Sequence, residues 1–246
     1  PLTSAYYRKM MSLSKVKQQK TTLENAVLVF ASGVCEKRLL CRDFDLPEKK
    51  IVVLPLGVEI AMGLGDPKLI RDKLGVEDFV LSVGEVSERK NQHALLEVCR
   101  DRNLPVVFAG PMGGDADDYS NYCRALANEN TIFAGELEPR LLKSAYQAAA
   151  AVVQPGLSEL PGLPVLSAAL AGSPVVVTER GTAFDYLGRG AFYCDPENHF
   201  SIADALDAAI SSGRSQNLKK LLVEKYSWTK TVLFMINIYK KILKIG

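Results

Sequence analysis

Between residues 79 and 194 the chain alternates short, unbroken apolar runs with segments whose apolar positions recur every three or four residues. The runs fall at 79–83, 106–109, 131–134, 151–154, 174–178 and 191–194. A strand that is apolar at nearly every position has both faces buried. The intervening segments predict helices over 92–99, 119–127, 139–149, 163–170 and 201–210, with a short helical turn near Phe184. Six such units predict an α/β fold: a doubly wound parallel sheet, Rossmann-like, with helices on both sides. Gly84, Gly110 with Pro111, Gly135, and Pro155 with Gly156 fall where strands should end. In open α/β sheets ligands bind outside those carboxyl ends, so these loops should converge on a site.

Before residue 79 the pattern changes. A basic helix over 5–20 leads to a strand over 26–31, a helix over 33–42 and a second strand over 51–54, which closes in Pro55-Leu56-Gly57-Val58. One strand and two helices cannot bury a core alone. Residues 1–50 are therefore expected to be the tail of a preceding domain, 51–65 the linker, 66–225 the complete domain and 226–246 a closing helix. Within the last helix, over 227–243, Trp228, Leu233, Ile236, Ile238, Tyr239 and Ile242 form an apolar stripe. It either packs on its own domain or straps back to the preceding one. A chain that opens at Pro1 is expected to be a fragment of something longer.

Composition narrows the classes. The 246 residues are 48% hydrophobic and 24% charged, which is ordinary for a globular chain that buries a core without staples. Thirty basic residues against 28 acidic ones give a net charge of +2, which does not argue for nucleic acid. Residues 7–20 nevertheless carry Arg8, Lys9, Lys15, Lys17 and Lys20 with no acid, and the last helix is also basic. Two readings stay open: solvated helix faces, or a surface resting on anionic lipid headgroups. Cys35, Cys41, Cys99, Cys123 and Cys194 are odd in number and scattered, as expected of reduced core thiols in a cytosolic protein. His93 and His199 lie near helix starts and away from the cysteines, so they are expected as surface or capping residues and no metal site is expected. No signal peptide, long apolar stretch or lipidation motif appears, and the expected location is cytoplasmic, with peripheral contact at the inner membrane face under the lipid reading.

Two stretches carry chemistry. In "SVGEVSERKNQHALL" (82–96) Gly84 ends the first strand and Lys90 with Asn91 opens the next helix. A phosphate there would meet backbone amides, the helix dipole and the Lys90 ammonium; the bland alternative is a surface loop capped by Asn91. In "QPGLSELPGLPVLSAALAGSPVVV" (154–177) Gly162 lets backbone approach a ligand, Pro164 presets a helix start, and the Leu163 and Val165 amides are expected to be free for an anion. Glu159 is expected as an acceptor for ligand hydroxyls, against the common fate of Glu as an exposed loop acid. Two helix starts facing one crevice suit a diphosphate.

These stretches resemble retaining family 4 glycosyltransferases of GT-B fold, glycosyltransferase group 1. "PGLSELPGLPVLSAALAGSPVVV" resembles their Glu-x7-Glu signature and "SVGEVSERKN" their phosphate loop. "VVLPLGVE" resembles the linker into their second domain, "GRGAFYCDPEN" an Asp-Pro stretch, and "YSWTKTVLFMINIYKKIL" the closing helix. The matches are collinear from about residue 24 to the end. The resemblance implies that residues 66–225 bind a nucleotide sugar, a UDP- or GDP-sugar, with no metal or other cofactor. Lys90 would hold the diphosphate, Gly162, Leu163, Pro164 and Val165 would meet phosphate and sugar through backbone, and Glu159 would take sugar hydroxyls. Gly84 opens the phosphate loop, and the loops at 110–113, from Gly110, and 133–136 would read the base. A hexose would pass with retention to a glycan or lipid-linked acceptor, polysaccharide biosynthesis being the family's common use. The fragment alone is expected to be inactive.

Three departures stand out. The second acid of the Glu-x7-Glu pair, the ribose contact, is Ser167, which carries no charge. An arginine often found after the first-loop glycine is Glu85, with Arg89 as its candidate substitute, and Pro161 occupies a turn position usually held by a small or aromatic residue. They keep open a second class, a glycosyltransferase-like binding or structural module without turnover. A Rossmann dehydrogenase is disfavoured because no Gly-x-Gly-x-x-Gly follows the first strand.

Overall fold

The computed structural model describes residues 13–114 and 116–243. Six strands form one parallel sheet: β3 (Val80–Val83), β4 (Val106–Ala109), β5 (Thr131–Gly135), β6 (Ala151–Gln154), β7 (Val175–Thr178) and β8 (Phe192–Cys194), in the order β5-β4-β3-β6-β7-β8. Successive strands run outward from β3 in one direction and from β6 in the other. The switch point therefore lies between the carboxyl ends of β3 and β6.

The unbroken apolar runs follow from two-sided burial. Leu81, Val107, Val152 and Val177 face a core covered by α3 (Pro67–Leu74), α6 (Pro139–Ala148), α7 (Leu163–Ala171), α8 (Ala183–Leu187) and α10 (Asn217–Tyr226). Val80, Val106, Phe108, Val153 and Val176 face the opposite core, under α4 (Gln92–Asp101), α5 (Asp118–Leu126) and α9 (His199–Ser212). Each such side chain taken from water stabilises by about 2 kcal/mol. The edge strands β5 and β8 are half-buried over most of their length.

Helix α3 is absent from the expected elements, although its signals are present. Asp66 caps it by accepting the Lys68 N–H at 3.0 Å, Pro67 stands in its first turn, and Gly75 closes it in the left-handed region. It packs on α6, where Ser144 Oγ accepts the Ile70 N–H at 2.9 Å and donates to the Asp66 carbonyl.

The leading segment contains α1 (Leu13–Asn25), β1 (Val29–Ala31), α2 (Val34–Phe44) and β2 (Ile51–Val53), with β1 and β2 parallel. Its small core holds Val29, Ala31, Leu46 and Ile51. The described part of the first helix runs five residues past its expected end, while Arg8 and Lys9 lie outside the described residues. The chain crosses to the six-stranded unit at 54–58, where Val58 N–H donates to the Tyr226 carbonyl at 2.7 Å. Helix α11 (Trp228–Leu243) then returns: Thr231 Oγ1 donates to the Pro55 carbonyl at 3.1 Å, and the Tyr239 ring meets Phe30 of β1 edge-on at 6.2 Å. Its apolar stripe does not sink into the six-stranded unit, because Trp228, Leu233, Ile236, Tyr239 and Ile242 are all exposed. Among the described residues no helix is long and apolar enough to cross a membrane.

Candidate functional site

At the switch point the loops after β3 and β6 close on each other. Lys90 ends a single 3-10 turn after β3, and Glu159 lies in the loop after β6. The Lys90 ammonium donates to Glu159 Oε1 at 2.8 Å and Oε2 at 3.0 Å. Lys90 is 8% exposed and Glu159 2%, so the exposed-acid alternative for Glu159 does not hold. Two buried opposite charges are tolerated because each neutralises and hydrogen-bonds the other. Arg89 stays half-buried, its Nη1 4.0 Å from Glu159 Oε1 and 3.4 Å from the Ser158 carbonyl it donates to. Glu85 is exposed, and its backbone carbonyl accepts from Gln92 Nε2 at 2.8 Å.

Backbone bonds fix both partners. Glu159 N–H donates to the Arg180 carbonyl at 3.0 Å, and the Glu159 carbonyl accepts the Thr182 N–H at 3.1 Å. Leu157 N–H donates to the Arg89 carbonyl at 2.8 Å, which zips the two loops together. The alternative of a surface loop capped by Asn91 does not hold. Asn91 stands at the cap position in the left-handed region with no capping bond, and its amide instead donates to Pro155 O at 2.9 Å and Pro196 O at 2.8 Å. One buried side chain thus staples the loops after β3, β6 and β8, a role that the residue type alone does not reveal. Arg180 adds a further tie through Asp195 at 2.9 Å and Glu197 at 2.6 Å.

The glycines serve close approach. A Cβ on Gly110 would stand 2.2 Å from the Gly84 carbonyl oxygen, so the ends of β3 and β4 touch there. Gly162, with φ 74°, heads α7 in a conformation that costs other residues energy, and Glu159 Cβ lies 3.5 Å from where its own Cβ would be. This turn corrects one expectation: the Val165 N–H is not free but donates to the Gly162 carbonyl at 3.0 Å, because the left-handed glycine closes the first turn on itself. Pro164 has no N–H, so Leu163, half-exposed, is the first helical residue with an amide to offer. Ser167 is half-buried near the hydroxyl of Tyr146, a neighbour not apparent from the sequence. Burial raises the Tyr146 phenol well above its ordinary range.

The remaining expectations concern residues away from this cluster. His93 is neither surface nor cap: it is half-buried, its ring edge-on to Tyr119 at 5.8 Å, and burial lowers its pKa. His199 faces Glu97, with Nδ1 3.1 Å from Oε2. Among the described residues no group of three or more His, Cys, Asp or Glu side chains is placed to hold a metal ion.

Residues 68–225 match the family of glycosyl transferases group 1. The chain belongs to this family. A glycosyltransferase of Methanocaldococcus jannaschii, itself uncharacterized, is 29% identical over 83% of this chain and 57% of its own length. The D-inositol 3-phosphate glycosyltransferase of Corynebacterium aurimucosum is 26% identical over 92% of this chain and 60% of its own. The chain thus spans 57–60% of these curated relatives. In fold it is similar to Anabaena HepE, solved in complex with UDP-glucose, with a TM-score of 0.81 at 18% identity over 96% of this chain and 69% of that one. For this group 1 glycosyltransferase chain the parallel α/β architecture is therefore that of GT-B glycosyltransferases.

Proposed function

We propose that this chain is the nucleotide-sugar donor half of a retaining hexosyltransferase, with residues 66–225 as the donor domain and the leading segment belonging to an acceptor domain. The observation that carries the proposal is the Lys90–Glu159 pair at the switch point, held by backbone bonds within reach of the α7 head. Membership of the family and the likeness to a structure holding UDP-glucose support it. In this scheme the bond from the sugar to its diphosphate breaks while an acceptor hydroxyl, on a glycan or lipid-linked substrate, attacks the same face and passes its proton to the departing diphosphate oxygen. Lys90, aided by Arg89 and the Leu163 amide, stabilises the charge that develops on the departing diphosphate, and Glu159 orients the sugar by accepting its hydroxyls. The backbone after β4, from Gly110 onward, and at the end of β5, from Phe133 onward, lies beside the base, and Ser167 is the uncharged contact to the ribose.

A thermal-shift survey of UDP-, GDP- and ADP-sugars tests the proposal, since a ligand that binds only the folded state raises Tm. One nucleotide class is expected to raise Tm and the others not. If none does so at millimolar concentration, the donor-site assignment fails.

A further inference from the structure

The donor scheme gives Lys90 and Glu159 to different parts of one ligand, the diphosphate and the sugar, yet the two groups bind each other at 2.8 and 3.0 Å. Resting on the donor-site proposal above, we infer that the Glu159 carboxylate sets selectivity for an intact nucleotide sugar over the bare nucleoside diphosphate by competing for Lys90.

The competition follows from what each ligand can offer. A bare diphosphate must draw the Lys90 ammonium from the carboxylate and leaves Glu159, 2% exposed, without its main donor. An orphaned buried charge is costly, more so than the loss of an ordinary hydrogen bond. Arg89 does not fill the gap, for its guanidinium is 4.0 Å away and already donates to Ser158 O. A sugar brings hydroxyl donors to the carboxylate, so Lys90 can turn to the diphosphate with neither charge abandoned.

The loops do not offer another escape. Both backbone groups of Glu159 are bonded to residues 180–182, and Lys90 N–H donates to the Ser87 carbonyl at 2.9 Å with Asn91 stapled behind it. The freedom that remains is rotation of the Lys90 side chain, whose Cε lies 3.4 Å from where a Cβ on Gly84 would be. The missing side chain at Gly84 leaves space for that swing. After transfer the same pair re-forms and expels the spent diphosphate.

Calorimetric titration of the 246-residue chain with UDP, GDP, inorganic pyrophosphate, UDP-glucose and GDP-mannose tests the inference in wild type and Glu159→Gln. The Gln variant removes the competing charge at constant size and is expected to bind the bare diphosphates about tenfold tighter, the scale of one charge-assisted hydrogen bond, while its preference for the nucleotide sugar shrinks. Unchanged or weaker binding of bare diphosphate by folded Glu159→Gln overturns the inference and leaves the donor site standing. If no probe binds wild type or variant, both fail together. Should Glu159→Gln not fold, Glu159→Asp, which keeps the charge but withdraws it from Lys90, is expected to shift the same preference in the same direction, and no shift there overturns the inference equally.

Discussion

Asp185 Oδ2 accepts the Val34 N–H at 2.7 Å, so a carboxylate on α8 caps helix α2, which lies 151 residues earlier in the chain. The cap position of α2 is Gly33, which has no side chain to serve itself, and a Cβ there would stand 2.3 Å from the same oxygen. Next to it Tyr186 Oη donates to Ser32 O at 2.7 Å and accepts the Leu56 N–H at 2.8 Å. The two units are thus joined by bonds that start three residues beyond Thr182, the residue that holds the Glu159 carbonyl. Asp185→Ala should cost about 1 kcal/mol in urea unfolding, the usual worth of a cap, and should speed amide exchange at Val34 and Cys35. Equal exchange in both proteins would show that the carboxylate does not cap the helix.

The buried pair makes a second prediction. Removing one member leaves the other uncompensated, so Lys90→Gln and Glu159→Gln should each destabilise by about 3 kcal/mol, and the double variant by less than the sum. Urea unfolding of the four proteins gives the coupling. Additive effects would mean that the two charges do not interact in solution.

Thiol chemistry checks the core. Burial pushes the Cys99 thiol to about 12, Cys123 to about 11 and Cys194 to about 12, and all three are buried, whereas Cys35 and Cys41 are half-exposed. Thiolate is the reactive form. Iodoacetamide at pH 8 should modify Cys35 and Cys41 in the native protein, and all five only after unfolding. Rapid native labelling of Cys99 or Cys194 would contradict the packing.

The half-buried His93 sets a pH dependence. Burial, with the positive charge of His199 adding to it and Glu97 opposing it, lowers its pKa from 6.5. The unfolded chain therefore takes the proton first, and stability is lost as pH falls below about 6.5, levelling once the folded imidazole is also protonated. Asp117 and Asp207 are shifted downward by Ser120 and Arg102, so their contributions fade only at more acid pH, below the ordinary 3.8. Replacing His93 with Gln should flatten the urea midpoint between pH 7 and 5. An unchanged slope would place the loss elsewhere.

Much of this fold is legible in the sequence. Val-rich runs mark strands because only a sheet covered on both faces leaves no polar positions, and Gly84 and Gly110 mark strand ends because neighbouring backbones touch there. Helix α3 is bracketed by Asp66, Pro67 and Gly75, but it stands ahead of the first apolar run at 79–83, outside the strand–helix alternation that predicts the other helices. The pairing of Lys90 with Glu159 was not legible: each has a separate reason to face a ligand, and only the meeting of β3 and β6 puts them 2.8 Å apart. The Asn91 staple and the Asp185 cap share that character, because their partners are 64, 105 and 151 residues away.

The most direct test is calorimetric titration of wild type and Lys90→Gln with UDP-glucose and GDP-mannose, with folding verified by melting. Binding of one donor by wild type, reduced at least about tenfold in folded Lys90→Gln, is the expected result, since a charge-assisted bond to phosphate is lost. Equal binding by both proteins would contradict the assignment of Lys90 to the diphosphate and, with it, the account of this site.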